Sequence, residues 1–404
     1  MKNDRTWVIG TCDTKWNEIQ YIYKILEQSG VPAAIVDVST TKHEAPADIS
    51  AQEIAAYHPY RKNFLERNEG RGDAVACMSL ALTEYMKMHH PQGVIGLGGS
   101  GGTALICAGL QALPIGIPKI MVSTVASGQV APYVGESDIM MVYSVTDIAG
   151  INPISHTILG NAAHALVGMV THPVELFESD KPLLGMTMFG VTTKGVTQIK
   201  DALEDQFEIL IFHATGTGGR SMEKLIESGL IDHVLDMTTT EVCDLHMGGI
   251  MSAGETRMDA IINRKIPYVL SLGALDMVNF AGIDTVPEKY RDRVLYEHNP
   301  QITLMRTTPE ENMAMAKWIA KKLNKSEAPV RLFIPEKGVS ALSVEGQPFY
   351  DPVADQALFQ TLRSEIRQTE NRKIISLPYA INDDEFANAV IEEFKKITIL
   401  SSGS

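Results

Sequence analysis

The sequence is poor in cysteine, in aromatic residues and in positive charge. Only Cys12, Cys77, Cys107 and Cys243 stand among its 404 residues, and no two are spaced as CxxC. That scatter argues against a structural zinc site and against a disulfide framework, and suits a reducing, cytoplasmic setting. Lys and Arg number 35 against 49 Asp and Glu, a formal net charge of −14. Such a balance disfavours a sequence-independent grip on nucleic acid, which needs a basic face. An anionic small molecule can still be held by backbone N–H groups and helix ends. No apolar run reaches the ~18 residues of a membrane span, and the opening MKNDRTWVIG lacks the apolar core of a signal peptide.

What is present is globular: 45% hydrophobic and 21% charged residues. The length suits two domains of about 150–200 residues each. Short β-branched apolar runs alternate with stretches of helical period, the pattern of βαβ units. In the first half, strands are expected at 6–9, 33–38, 93–97, 117–123 and 139–145, with helices at 14–29, 72–89 and 153–170. The proline- and charge-bearing segment 171–182 (THPVELFESDKP) reads as a hinge. Strands then resume at 183–189, 207–213, 232–237, 267–272, 302–306, 330–335 and 373–377. Helices from 194 and 219 and at 309–323, 351–367 and 384–396 lie among them. The fold class expected is α/β, with two Rossmann-like parallel-sheet subdomains, 1–175 and 182–404, around an interdomain cleft.

The clearest chemical signal is GGSGGT, Gly98, Gly99, Ser100, Gly101, Gly102 and Thr103, between the strand GVIGL and a helical run. Glycines let a chain turn tightly while exposing N–H groups at the positive end of a helix. The loop reads as a cradle for phosphate or carboxylate, with Ser100 and Thr103 as further donors; the plainer reading is a close-packed strand–helix turn. It is neither a P-loop nor GxGxxG. A second loop, Thr215, Gly216, Thr217, Gly218, Gly219, follows FEILIFHA and repeats the pattern in the second half. His213 stands just before it, at a strand end.

Further candidates cluster at other turns. MSAGETRMD carries Glu255 and Arg257: arginine binds carboxylate or phosphate through two parallel bonds, and a carboxylate holds Mg²⁺ or moves a proton. SLGALDMVNF places Asp276 and Asn279 after a strand. In TCDTK, Asp13 suits a helix N-cap and Lys15 could reach a phosphate. Asp37 ends the second strand, where a dinucleotide fold places its ribose carboxylate. His156 and His164, eight apart, share a helical face and read as a polar edge facing the cleft or a partner.

Together VIGTCDTK, GLGGSGGT, INPISHTILGNAAHALVGM, FHATGTGGRSME, SAGETRMDA and SLGALDMVNF make the chain resemble the tomato mosaic virus resistance protein-like ATP-binding domain family. The resemblance implies a two-subdomain α/β fold that binds ATP with Mg²⁺ and forms homodimers. The function expected is an ATP/Mg²⁺-binding enzyme acting on a small polar or carboxylate substrate in the cleft. There His213, Glu255, Arg257 and Asp276 would do the chemistry, while the two glycine loops, Asp13 and Lys15 hold the ligands. Alternatives are a nucleotide-gated binding protein without turnover, a nucleotide-independent hydrolase or lyase, and a nicotinamide-dependent oxidoreductase, the last resting on architecture and Asp37 alone.

Overall fold

The computed structural model describes residues 5–41, 43, 45–66, 70–174 and 180–401, and the side chains of these up to residue 398. The chain forms two compact units, 1–177 and 178–404. Residues 175–179 of the segment read as a hinge lie outside the described residues.

The first unit is one parallel sheet in the order β2-β1-β3-β4-β5. Its strands are β1 (Thr6–Gly10), β2 (Ala33–Asp37), β3 (Gly93–Gly98), β4 (Lys119–Ser123) and β5 (Met140–Tyr143). Its helices are α1 (Cys12–Gln28), α2 (Ala51–Ala55), α3 (Arg71–Met88), α4 (Ser100–Ala112), α5 (Ala131–Val134) and α6 (Pro153–Thr171). Successive strand residues point to opposite faces. Trp7, Ile9 and Val94 therefore pack with Met78, Leu82 and Ile106 of α3 and α4. Val8, Ile95 and Leu97 pack with Ile19, Ile22 and Leu166 of α1 and α6. A sheet covered on both faces explains why its inner strands read as unbroken apolar runs rather than alternating ones.

The second unit has six parallel strands in the order β14-β13-β9-β8-β6-β7. They are β6 (Leu183–Met188), β7 (Glu208–His213), β8 (His233–Thr238), β9 (Tyr268–Gly273), β13 (Val330–Pro335) and β14 (Arg372–Leu377). The helices α7 (Thr193–Leu203) and α13 (Asp384–Ser401) cover one face. The other carries α8 (Thr217–Glu227), α9 (Glu241–Met247), α10 (Asp259–Asn263), α11 (Pro309–Leu323) and α12 (Pro352–Glu365). Numbered within their own unit, both sheets run 2-1-3-4-5, the second adding one strand.

One expectation is corrected. Residues 302–306 do not join the parallel sheet. As β12 (Ile302–Arg306) they sit between β10 (Met277–Phe280) and β11 (Leu295–Asn299) in a small antiparallel sheet. β11 and β12 form a hairpin closed at 299–301, where the Asn299 side chain accepts the Gln301 N–H at 2.9 Å.

Candidate functional site

In an open parallel sheet, ligands bind at the carboxyl ends of the strands, where neighbouring connections leave toward opposite faces. In the first unit that point lies between β1 and β3. After β1 the chain enters α1 on one face, and after β3 it enters α4 on the other. A cavity of about 1050 Å³ opens there. Its walls include Thr11, Asp13, Thr14 and Lys15 from the β1 turn, Thr40 and Thr41 beyond β2, Arg71 of α3, and Gly98 to Gly102.

The glycines of this loop are not equally demanded by the fold. A Cβ on Gly98 would lie 2.9 Å from the backbone of Gly102, so close passage of α4 across β3 requires it. At Gly99 the nearest atom would be 3.9 Å away, at Gly102 4.0 Å, and at Gly101 nothing lies within 4 Å. None of these three has a left-handed φ. Neither packing nor backbone conformation asks for glycine at 99, 101 or 102; what those residues spare is room on the cavity side. The Thr103 N–H bonds Gly99 O at 2.8 Å, while those of Ser100, Gly101 and Gly102, the first turn of α4, have no acceptor among the described residues. Four backbone donors of a helix start are orphaned by geometry, and they carry the positive end of its dipole. Thr103 itself is spent: its buried hydroxyl lies 2.6 Å from Ser123 Oγ.

Opposite the loop, Asp37 supports the β1 turn. Its Oδ1 accepts the Cys12 N–H at 3.1 Å, the Ser39 N–H at 2.9 Å and the Ser39 hydroxyl at 2.6 Å. It therefore caps α1, the role expected of Asp13, and is buried and engaged rather than held out for a ribose. Asp13 is exposed; its N–H donates to Ser39 Oγ at 3.2 Å and its carboxylate accepts the Thr41 hydroxyl. Lys15 departs from helical geometry (φ −131°, ψ 25°) and sends Nζ to the Ile148 carbonyl at 2.5 Å. Arg71 is exposed and forms no ion pair with any described residue.

The second glycine loop is a different object. It follows β7, the outermost strand, and the amides of Thr215, Gly216 and Gly219 are already taken. Glu241 Oε1 accepts the N–H of Gly216 at 2.7 Å and of Gly219 at 3.0 Å. A Cβ on Gly219 would fall 2.1 Å from the same carboxylate, and one on Gly218 1.9 Å from the His213 carbonyl. The expectation that this loop offers a free anion cradle is corrected: the chain supplies its own anion. Thr215 bonds back to His213 O, and Thr217 is exposed beside Arg220.

Arg257 is likewise corrected. It is 2% exposed and its guanidinium is divided among Glu241 (2.8 Å), Asp236 (2.7 Å) and Glu223 (3.3 Å). With three carboxylates to one guanidinium, burial pushes Glu223 up to about 7 and raises Glu241 as well, while Arg257 is held well above its ordinary value against that same burial. Nearby Asp244, also pushed up to about 7 by burial, accepts from Asn279 Nδ2 at 2.8 Å and from the amides of Met251 and Asn279. Asn279 is thus structural. Asp276 is fully buried, takes the Ser340 hydroxyl at 2.7 Å, and leaves Oδ1 without a partner. Glu255 is exposed, touching Trp318 Nε1 at 3.4 Å. His213 is exposed against the edge of Phe189, ring centroids 5.4 Å apart. His156 packs on Tyr21, whose hydroxyl donates to its carbonyl at 3.1 Å.

The point between β6 and β8, which matches the open crevice of the first unit, is closed. Ala341 N bonds Val191 O, Ala274 N bonds Val339 O, and Thr307 N bonds Asp276 O, so the strand-end loops tie to one another. Phe189, Ala274, Met277, Leu304 and Phe349 fill the space above them. Among the described residues no group of three or more His, Cys, Asp or Glu side chains is arranged to hold a metal ion, and no helix is long and apolar enough to cross a membrane.

Two doubly wound parallel units, one with an open crevice lined by helix-start amides, define a Rossmann-like two-domain protein. The chain belongs to the uncharacterised protein family UPF0261: the family's N-terminal domain matches residues 4–175 and its C-terminal domain residues 181–398. A UPF0261 protein of Rhizobium meliloti is 50% identical over 97% of this chain and 99% of its own length. One of Clostridium tetani is 47% identical over 97% and 98%. The ToMV resistance protein Tm-1(GCR237) of Solanum lycopersicum is 43% identical over 98% of this chain, which spans 56% of that protein.

Proposed function

We propose that the crevice between β1 and β3 binds ATP as its magnesium complex, and that the protein acts on a small polar or carboxylate-bearing molecule with it. The observation that carries the reading is the contrast within one loop: Gly98 serves packing, whereas Gly99, Gly101 and Gly102 serve no need of the fold and leave the amides of α4 open to a cavity of about 1050 Å³. Successive amides at a helix start suit phosphate oxygens. Lys15 and Arg71 add positive charge at the same walls. Asp13 and Glu66 line the cavity as its carboxylates. One or two carboxylates beside phosphates suit Mg²⁺, which keeps most of its water and rarely uses a complete protein cage. The cavity volume suits a nucleotide.

Binding without turnover is the second reading, and one observation favours it. Of the side chains expected to do chemistry, Arg257 and Asp276 are buried and engaged inside the second unit. Calorimetry with ATP and MgCl₂, followed by a phosphate-release assay over small carboxylic acids, separates these readings. Heat with a dissociation constant below about 1 mM supports the site. No heat at millimolar nucleotide, with the protein folded by circular dichroism, removes it. Heat with no phosphate released under any acid tested selects binding alone.

A further inference from the structure

We propose that a second cavity, wholly within the second unit, receives an aliphatic polyamine or an organic cation of that kind. The cavity measures about 480 Å³, within the range of small-molecule sites. It lies beyond the carboxyl ends of β13 and β14, on the side of the sheet where parallel folds accept ligands. It does not depend on the nucleotide crevice, which belongs to the other unit.

Three segments build its walls, and each is held by bonds that do not involve a ligand. Beyond β13, Ser343 Oγ accepts the N–H groups of Val339 (2.9 Å) and Ser340 (3.1 Å), and Phe349 N bonds Leu342 O at 2.9 Å. Beyond β14, Ile381 N bonds Gly338 O at 3.0 Å, and Asp383 accepts the Ala380 N–H at 2.8 Å. At the start of α12, Asp351 caps the amides of Val353 and Ala354. The hollow is therefore shaped in advance rather than formed by loose chain.

Its chemistry is acidic with an apolar side. Glu336, Glu345, Asp355 and Asp383 line it, with Lys337 as the one cation and Tyr350, Val344 and Pro352 as the apolar part. Asp355 is the buried member, 6% exposed. Its Oδ1 takes Arg306 at 2.6 Å, while Oδ2 has no donor among the described residues. Arg306 is also drawn elsewhere: it donates to the carbonyls of Phe349 and Asp351 and to Thr307, and its charge is shared with the buried Asp276. Even counting Arg306, and Arg363 on Glu336, carboxyls outnumber cations around the hollow. Burial, together with Asp276 and Asp351, pushes Asp355 up to about 7 against the pull of Arg306. An ammonium group bonded to Oδ2 would settle that imbalance, and a second ammonium on the same chain would reach the rim at Glu345, which has no ion pair among the described residues. An anionic or neutral guest meets no such complement.

The test is calorimetric titration of the full chain with spermidine, and with triethylene glycol as a neutral chain of similar length. Spermidine should bind at submillimolar concentration and the glycol should not. Asp355→Asn should weaken spermidine about ten-fold, the scale of a lost hydrogen bond to a charged group. Glu345→Gln, at an exposed position that leaves folding alone, should weaken it about two- to four-fold, as for a rim ion pair. Absence of spermidine binding, equal binding of the glycol, or spermidine binding unchanged by both substitutions would each overturn the assignment. The last outcome would mean attraction to the acidic surface only.

Discussion

Glu241 occupies the place that an incoming phosphate would need in the second glycine loop: its Oε1 lies 2.7 Å from the amide of Gly216, and its other oxygen takes Arg257 at 2.8 Å. Removing that carboxylate should leave Arg257 short of one partner and two amides unpaired. Glu241→Ala is expected to lose about 3–5 kcal/mol of stability, the usual cost of breaking a buried pair, measured by urea unfolding. Sulfate should then raise the melting temperature of the variant more than that of the parent, since the emptied position is an anion site. Equal responses would show that the loop does not hold its shape without Glu241.

The first loop predicts a contrast between neighbours. Gly99→Val has open space around it and should fold normally while losing at least about ten-fold in nucleotide affinity, its side chain standing where phosphate would lie. Gly98→Ala meets the Gly102 backbone and should instead cost about 1–3 kcal/mol of stability. Circular dichroism melting beside calorimetry distinguishes them; a Gly99→Val protein that binds as tightly as the parent would make the loop a turn and nothing more.

Asp244 predicts a pH signature. Its folded value of about 7 stands above the ordinary value of 3.8, so the folded state binds a proton that the unfolded state releases. Its contribution to stability is complete below about pH 4 and is lost as the pH rises through 7. Asp244→Asn abolishes this dependence at that position. Relative to the parent, the variant should gain ~2–3 kcal/mol between pH 5 and pH 8, read from urea midpoints at the two values. A constant difference between the two proteins would show that Asp244 is ionised in the fold.

The thiols predict inertness. All four cysteines are buried, and burial raises each of them, Cys107 to about 12 and Cys243 well above its ordinary value. Ellman's reagent at pH 8 should label none of them on the minute scale without denaturant and all four with it. Rapid labelling of one thiol in the native protein would contradict its placement.

The architecture was legible because its signals are local. Strands buried on both faces leave apolar runs such as GVIGL, and the capping box Thr308–Glu311 before α11 marks a helix start within four residues. The small antiparallel sheet was not, since the pairing of Met277 with Arg306 joins positions far apart in sequence by backbone bonds alone. Among the site residues, the open loop at Gly98 was legible from composition. The fate of Thr215 to Gly219 was not: GGSGGT and TGTGG look alike, and the difference is Glu241, which reaches back from the next helix but one element. Arg257 misled for a similar reason. An arginine in a glycine-rich turn looks available until the carboxylates facing it, contributed by Glu223, Asp236 and Glu241, are brought together by folding.

The aromatic seal over the second unit has a consequence of another kind. Phe349 is 1% exposed, its carbonyl accepts from Arg306 and its ring packs in the apolar cluster beside Tyr296, so that ring serves as stuffing. Cutting it back to alanine would hollow out a dry chamber walled by Leu304, Met277 and Ala274. Such a chamber would attract xenon or benzene rather than water or salts.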